Sequence, residues 1–348
     1  MRSGLYRKVI VAPDSFKGCL SAREVAHIVA SALREGHPDW EVVEFPLADG
    51  GEGTIDVVVP SLGGSFCKAV VSDPLGRPVT ARFGLSGDRA VLEVAEACGL
   101  KYLAPRERNP LVASSYGVGE LLMAARARGA THFLVGLGGT ATCDGGAGMM
   151  RVPGLREALN GCSFELLCDV SVPFAGPGGA VRVFAPQKGA SPEDLPVLED
   201  RMRAFARTML AETGVDVLAL PGTGAAGGLA GAFMAYFGAG SVSGIDRILD
   251  LTGFDAVAGD ADLIITGEGK SDLQTLSGKV PLGVLRHSRG IPVALLSGRV
   301  ENHDALAAAG FSRLIQVSPD NLPLEEAIKP AIAIVLLRKA AYTASQSL

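Results

Sequence analysis

The first 45 residues fix the kind of fold open to this chain. Lys8–Ala12 (KVIVA) is a short apolar run of strand length. The loop PDSFKGCL follows, and Ser21 with Glu24 three residues on forms a capping box that opens a helix. Val25, Ile28, Val29, Ala32 and Leu33 recur at helical spacing until Gly36 and Pro38 stop the helix. Glu41–Phe45 (EVVEF) is the next strand. Strand, loop, helix, strand predicts parallel pairing with a right-handed crossover, and hence an α/β fold.

Thr54–Val59 reads as the start of a further helix. Val70–Ala97 changes character: short β-rich runs alternate with the turn signals DPLG and SGD, which predicts a meander of strands and a domain boundary near residue 70. Glu120–Ala127 is a predicted helix leading into the strand Thr131–Val135. Leu166–Cys168, Val181–Phe184, Ala261–Thr266 and Gly290–Leu296 read as further strands, and Ser191–Thr213 as a helix. A closing helix is predicted over Leu324–Leu337, kinked at Pro330. The economical architecture is a parallel α/β domain built from both termini, residues 1–70 and 260–348, with a second α/β domain, 71–259, inserted. Loops at the carboxyl ends of the strands then line a crevice, where open α/β sheets bind ligands.

Composition excludes several classes. The 348 residues carry a net charge of −5 with no long basic run, which argues against nucleic acid as a partner. No charge-free apolar window is long enough for a membrane span. The opening MRSGLYRKVIVAPDS turns polar too soon for a signal peptide, and six scattered cysteines form no CxxC pair, so a cytoplasmic protein with reduced thiols is expected. Two motif fragments are weak. GTGAAG (222–227) matches GxGxxG, but Pro221 stands between it and the preceding apolar residues; GKS (269–271) lacks the leading glycine of a P-loop, with Ile264 in its place; no GxSxG elbow occurs. The five histidines show no metal-ligand spacing.

The 45 glycines have no collagen period and gather in loops. Four of these loops carry chemistry. PDSFKG (13–18) offers Ser15, Lys17 and a helix entrance that attracts anions. ADGGEG (48–53) sets Asp49 and Glu52 on bare backbone, which suits Mg²⁺ beside phosphate oxygens. LGGTATCDGGAG (137–148) surrounds Asp144 with threonine hydroxyls and glycine N–H groups, including Gly138, Gly139 and Thr140, a loop able to wrap a phosphate. TGEGKSDLQTLSGK (266–279) gathers Glu268, Asp272, Gln274, Thr275 and Lys279: carboxylate, amide, hydroxyl and cation, as phosphoryl positioning requires.

With APDSFKG (12–18), PLADGGEGT (46–54), GLGGTATCDGGAGM (136–149), FAPQKGA (184–190), PGTGAAGGL (221–229) and ITGEGKSDLQTLSGK (265–279) in this order, nearly the whole chain resembles the type 1 glycerate kinase family. The resemblance implies a flavodoxin-like domain from both termini with an inserted α/β domain, and ATP-dependent, Mg²⁺-assisted phosphorylation of glycerate to 2-phosphoglycerate or 3-phosphoglycerate, the former favoured. It leaves homo-oligomerisation open. Two departures stand out: Cys143 occupies a position where the family usually has Asn, and the connection after Met150 is shorter than usual. For such a reaction Lys17 or Arg299 is the candidate cation for the glycerate carboxylate. Asp272 and Asp169 are the candidate bases, Asp49 or Glu52 the Mg²⁺ ligands, and Lys188 and Lys279 the charges offsetting the transferring group. The rival readings are an NAD-dependent oxidoreductase using GTGAAG, and a non-catalytic binding protein of the same fold.

Overall fold

The computed structural model describes residues 7–346, so the beginning of the segment on which the signal-peptide expectation rests lies outside the described residues. Eleven strands occur among the described residues, in chain order β1 (Lys8–Pro13), β2 (Glu41–Glu44), β3 (Ser65–Ser72), β4 (Pro78–Ser86), β5 (Arg89–Glu93), β6 (His132–Gly136), β7 (Ser163–Leu167), β8 (Gly240–Val242), β9 (Leu263–Ser271), β10 (Val293–Val300) and β11 (Arg313–Gln316). They form two sheets in two compact units. One unit runs to Asp49 and resumes at Ile245; the other is Gly50–Gly244.

In the first unit the order is β11-β10-β9-β1-β2, all parallel. Counted within the unit this is 2-1-3-4-5, the flavodoxin-like winding. The helix Ala22–Gly36 begins as the sequence predicts: Ser21 Oγ accepts from Glu24 N, and Glu24 Oε2 accepts from Ser21 N at 2.8 Å. Its buried face (Val25, Val29, Leu33) packs with Val9, Val11, Leu263 and Ile265 of the sheet and with Leu337 and Ala341 of the last helix. Each such fully buried aliphatic side chain contributes about 1.5–3 kcal/mol, which gives strand tips a rigid base.

In the second unit the order is β3-β4-β5-β6-β7-β8, with β3, β4 and β5 antiparallel in sequence and β5 to β8 parallel. The predicted meander is therefore the antiparallel edge of a mixed sheet.

Four local readings differ from the structure. The chain passes between units at Asp49/Gly50 and Gly244/Ile245, not near 70 and 260. The helix Thr54–Ser61 belongs with β3–β5, because Ile55 N donates to Glu93 Oε1 at 2.9 Å and Asp56 pairs with Arg82 at 3.0 Å. At the other crossing, His287 Nδ1 lies 2.8 Å from Asp255, tying the segment before β9 to the first unit. Val181–Phe184 is helical (Ala180–Phe184), with Ala180, Val181 and Ala185 buried; a short apolar run does not by itself distinguish strand from buried helix. The closing segment is two helices, Leu324–Ala327 and Pro330–Ser345, since the residue before a proline is pushed out of the α region and Lys329 is extended.

Candidate active site

Open parallel sheets bind ligands where the winding reverses, outside the carboxyl ends of the flanking strands. In the first unit that point lies between β1 and β9. Asp14 leaves β1 with its N–H donating to Gly267 O at 2.8 Å. Its carboxyl group is buried, and its pKa is pushed up to about 8, first by burial and then by Asp49, with Lys17 opposing. Ser15 N donates to Asp14 Oδ1 at 2.6 Å, while Ser15 Oγ is buried without a hydrogen-bond partner among the described residues. A buried hydroxyl left unpaired at a strand tip is unfavourable unless a ligand oxygen or water meets it.

Across the switch point, Glu268 on β9 is 5% exposed. Its Oε1 accepts from Thr275 Oγ1 at 2.6 Å and Ser271 Oγ at 2.9 Å, and its Oε2 lies 3.5 Å from Lys279 Nζ. Burial pushes its pKa up and Lys279 draws it back. Asp272 Oδ1 accepts from Gln274 N at 2.8 Å, which leaves the Gln274 side chain exposed; Asp272 Oδ2 faces Lys270 at 3.5 Å. Arg299 sits on β10 opposite Lys270 in register, with Nη1 3.3 Å from the exposed Asp320. Ser15, Lys17, Asp49, Glu268, Asp272, Thr275, Lys279 and Arg299 are thus carried on the loops and strand ends of one unit.

In the second unit the parallel strands β5, β6 and β7 end together at Glu93, Gly136 and Leu167. The loop after β6 lies against 50–53: a Cβ on Gly138 would stand 2.7 Å from Gly51 Cα, so the glycine is required by the approach of two backbones. Gly138→Ala is expected to lower stability by roughly 1–3 kcal/mol through this overpacking, read as a lower urea midpoint at unchanged slope.

Two residues expected to meet a phosphate instead face inward. Asp144 Oδ2 accepts from Ser115 N, Ser115 Oγ and Gly148 N at 2.8–3.0 Å, and Oδ1 from Gly146 N at 3.1 Å. It braces the loop from within. Lys188 is 3% exposed, its Nζ donating to Thr140 Oγ1 at 3.0 Å and to Thr142 O at 2.7 Å. Its partners are neutral oxygens, and burial pulls its pKa down. Lys188 holds the glycine-rich loop from behind rather than reaching over it. Cys143, next to the carbonyl that Lys188 grips, is buried, and burial raises its thiol pKa. Asp169 is exposed beyond β7, its Oδ2 accepting from Gly244 N at 3.1 Å. Glu52 is exposed and belongs to this unit, whereas Asp49 belongs to the other.

The sequence reading passed over Asp14 and Glu93. Glu93 closes β5 level with Gly136, is buried, and has its pKa pushed up to about 7 by burial while Ile55 N holds it down. The available signal was the same for both: a carboxylate placed directly at the end of an apolar strand. GTGAAG has no strand before it; Gly227, at φ +69°, lies where a Cβ would be 2.0 Å from Thr142 O. Gly227 thus serves close packing against the 142–145 loop, and Gly224, where a Cβ would be 2.1 Å from Pro173 O, serves close packing against the 172–173 backbone. GKS lies within β9, in extended backbone.

The fold and its strand tips define a two-unit α/β protein, flavodoxin-like in the unit built from both chain ends, with an inserted mixed-sheet unit. The glycerate kinase family model matches residues 9–156 and 150–347, and the chain belongs to that family. The two matches meet at 150–156, the connection marked as short. A glycerate kinase of Bacillus subtilis (strain 168) is 38% identical over 357 residues, covering 93% of this chain and 94% of the relative. A glycerate 2-kinase of Escherichia coli (strain K12) is 39% identical over 307 residues, covering 80% and 81%. A solved structure described as a glycerate kinase 2 from Salmonella typhimurium LT2 superposes with a TM-score of 0.80 at 38% identity, covering 99% of this chain and all of that one.

Proposed function

We propose that this chain is a glycerate kinase of the type 1 class, transferring the γ-phosphoryl group of ATP to a hydroxyl of D-glycerate, with 2-phosphoglycerate the favoured product and the cytoplasm its location. The observation that carries the reading is the β1/β9 switch point, where an unpartnered Ser15 hydroxyl, buried carboxylates and Lys279 stand at one sheet edge in a chain of this family. In the step itself, the glycerate oxygen forms a bond to the γ-phosphorus, the bond from that phosphorus to the β-phosphate oxygen breaks, and the hydroxyl proton passes to a carboxylate. Asp272 and Asp169 are the two candidates for that carboxylate. Lys17 or Arg299 pairs with the glycerate carboxylate, and Lys279 offsets charge on the transferring group. Bare N–H groups of 138–140 receive phosphate oxygens. Lys188 and Asp144 keep that loop in shape.

Oxygen donors at the switch point fit Mg²⁺, a hard cation that takes one or two carboxylates beside phosphate oxygens. Asp49 and Asp14 are the pair to hold it, since Asp49 already raises the pKa of Asp14 in the way a cation would relieve. When bound, Mg²⁺ neutralises charge on the phosphates. The exposed Glu52 stays a candidate from the second unit.

The test is ADP release with ATP, Mg²⁺ and D-glycerate, set against other hydroxy acids and sugars, with the product position assigned by phosphorus NMR. Asp272→Asn keeps the acceptor for Gln274 N and is expected to fold; if Asp272 is the base, kcat falls by ~10²–10⁴. Near-native kcat in both Asp272→Asn and Asp169→Asn excludes both assignments. No turnover of D-glycerate by the wild type, with tight nicotinamide nucleotide binding, revives the oxidoreductase.

A further inference from the structure

A polar hollow lies in the 50–244 unit, away from the strand tips. Gly176, Pro177, Arg182, Glu199 and Arg203 line a surface hollow of about 420 Å³. One wall is the turn before the short helix Ala180–Phe184; the other is one face of the helix Asp194–Thr213, where Glu199 and Arg203 stand one turn apart. Glu199 Oε1 accepts from Gly176 N at 2.6 Å and forms an ion pair with Arg203 Nη2 at 2.9 Å, which clamps the turn to the long helix, while Glu199 Oε2 is buried without a hydrogen-bond partner among the described residues. That single ion pair occupies one nitrogen of Arg203. Arg182 is exposed and has no ion pair or hydrogen bond among the described residues. Two guanidiniums and one carboxylate leave the hollow with a surplus positive charge and several free N–H donors in the planar geometry that suits phosphate and carboxylate.

We propose that this hollow binds a small organic acid carrying a phosphate, with Arg182 and Arg203 gripping its anionic groups, as an effector site separate from the strand tips. The volume exceeds what inorganic phosphate fills and suits a three- or four-carbon acid ester. Its position gives it a route to the active loop. The helix that carries Arg182 runs into the turn Pro186–Lys188, and Lys188 holds Thr140 and Thr142. An anion drawing Arg182 toward Arg203 therefore acts on the element that shapes the glycine-rich loop. The proposal does not depend on the kinase reading, because binding here needs neither ATP nor glycerate.

Phosphoenolpyruvate is a suitable probe: it carries phosphate and carboxylate and has no hydroxyl to be phosphorylated. Calorimetry on the full chain, without nucleotide, is expected to show binding that weakens about tenfold or more in Arg182→Ala, the loss of one charged hydrogen-bonding partner. Hydrogen–deuterium exchange is expected to slow in peptides covering 174–184 and 196–206 of the wild type and to stay unchanged in the variant. Arg182 is exposed, so the variant is expected to keep its fold. Arg203→Lys, which keeps a donor for Glu199, is expected to weaken the probe as well. Absence of protection in those peptides at millimolar probe, equal affinity in Arg182→Ala, or inorganic phosphate binding as tightly as the ester overturns the proposal. Each of these leaves glycerate turnover, measured separately, untouched.

Discussion

Lys188→Met is expected to lower kcat for glycerate phosphorylation by about 10²-fold while leaving the fold intact. The lysine is buried, its ammonium donating to Thr140 Oγ1 and Thr142 O and lying 5.9 Å from the centre of the Phe184 ring. Removing it leaves the Thr142 carbonyl unpaired, at a cost of about 1–3 kcal/mol. It also removes a desolvated charge that has no carboxylate partner, which works in the opposite direction. The two effects nearly cancel in stability, and methionine fills a similar volume. They do not cancel in geometry: the glycine-rich loop loses the group that fixes two of its residues, and a displacement of about 1 Å at a reacting group is worth ~10² in rate. Steady-state kinetics and urea unfolding check both halves. The pH dependence gives a further check. Burial lowers the pKa of Lys188 in the folded state, so the folded state releases its proton first. Wild-type stability then gains a term as pH rises from that depressed value toward ~10.4, where the unfolded lysine titrates, and the variant lacks this rise. Unchanged kcat in Lys188→Met would remove the loop-holding role.

The sequence was legible where one local rule acted alone. The capping box at Ser21 and Glu24, the helical face beginning at Val25 and the strand KVIVA each depend on neighbours in sequence, and all three stand as read. The opening crossover then dictated a parallel sheet, and only its completion by β9 to β11 had to come from the distant end of the chain. Readings failed where two environments share one local pattern. Val181–Phe184 is apolar in either a strand or a buried helical turn, and packing of Ala180 and Val181 decided for the helix. Polar residues in glycine-rich loops are ambiguous in the same way. Asp144 and Lys188 look like ligands to a phosphate because such a site needs charge, yet a loop with few side chains also needs internal support, and these two supply it. Asp14 and Glu93 were hidden for the opposite reason. Burial makes a carboxylate unusual, and burial is a property of tertiary packing that no spacing records.

Asp14→Asn is expected to raise stability at pH 8 and to lower turnover measured with Mg²⁺ present. In the folded state the Asp14 pKa is about 8, raised by burial and by Asp49; in the unfolded chain it is ~3.9. A carboxyl group with a raised folded pKa favours the folded state when protonated. Its contribution is fully present below the unfolded value and is lost as pH rises toward 8, at no more than about 1.4 kcal/mol per pH unit. Asparagine does not titrate and still accepts from Ser15 N through its side-chain oxygen, so the variant escapes that loss. The stability difference is therefore expected to be small near pH 4 and to widen up to pH 8. Activity moves the other way. If Asp14 and Asp49 share the divalent cation, that cation holds both carboxylates ionised, and Mg²⁺ with nucleotide is expected to raise the wild-type Tm at pH 8 far more than that of the variant. Thermal unfolding from pH 4 to 9, with and without Mg²⁺ and nucleotide, reads both effects. A variant that is less stable than wild type at pH 8, or one that keeps full turnover, would mean that the buried carboxyl group serves the fold of the β1 tip and not the ligand beyond it.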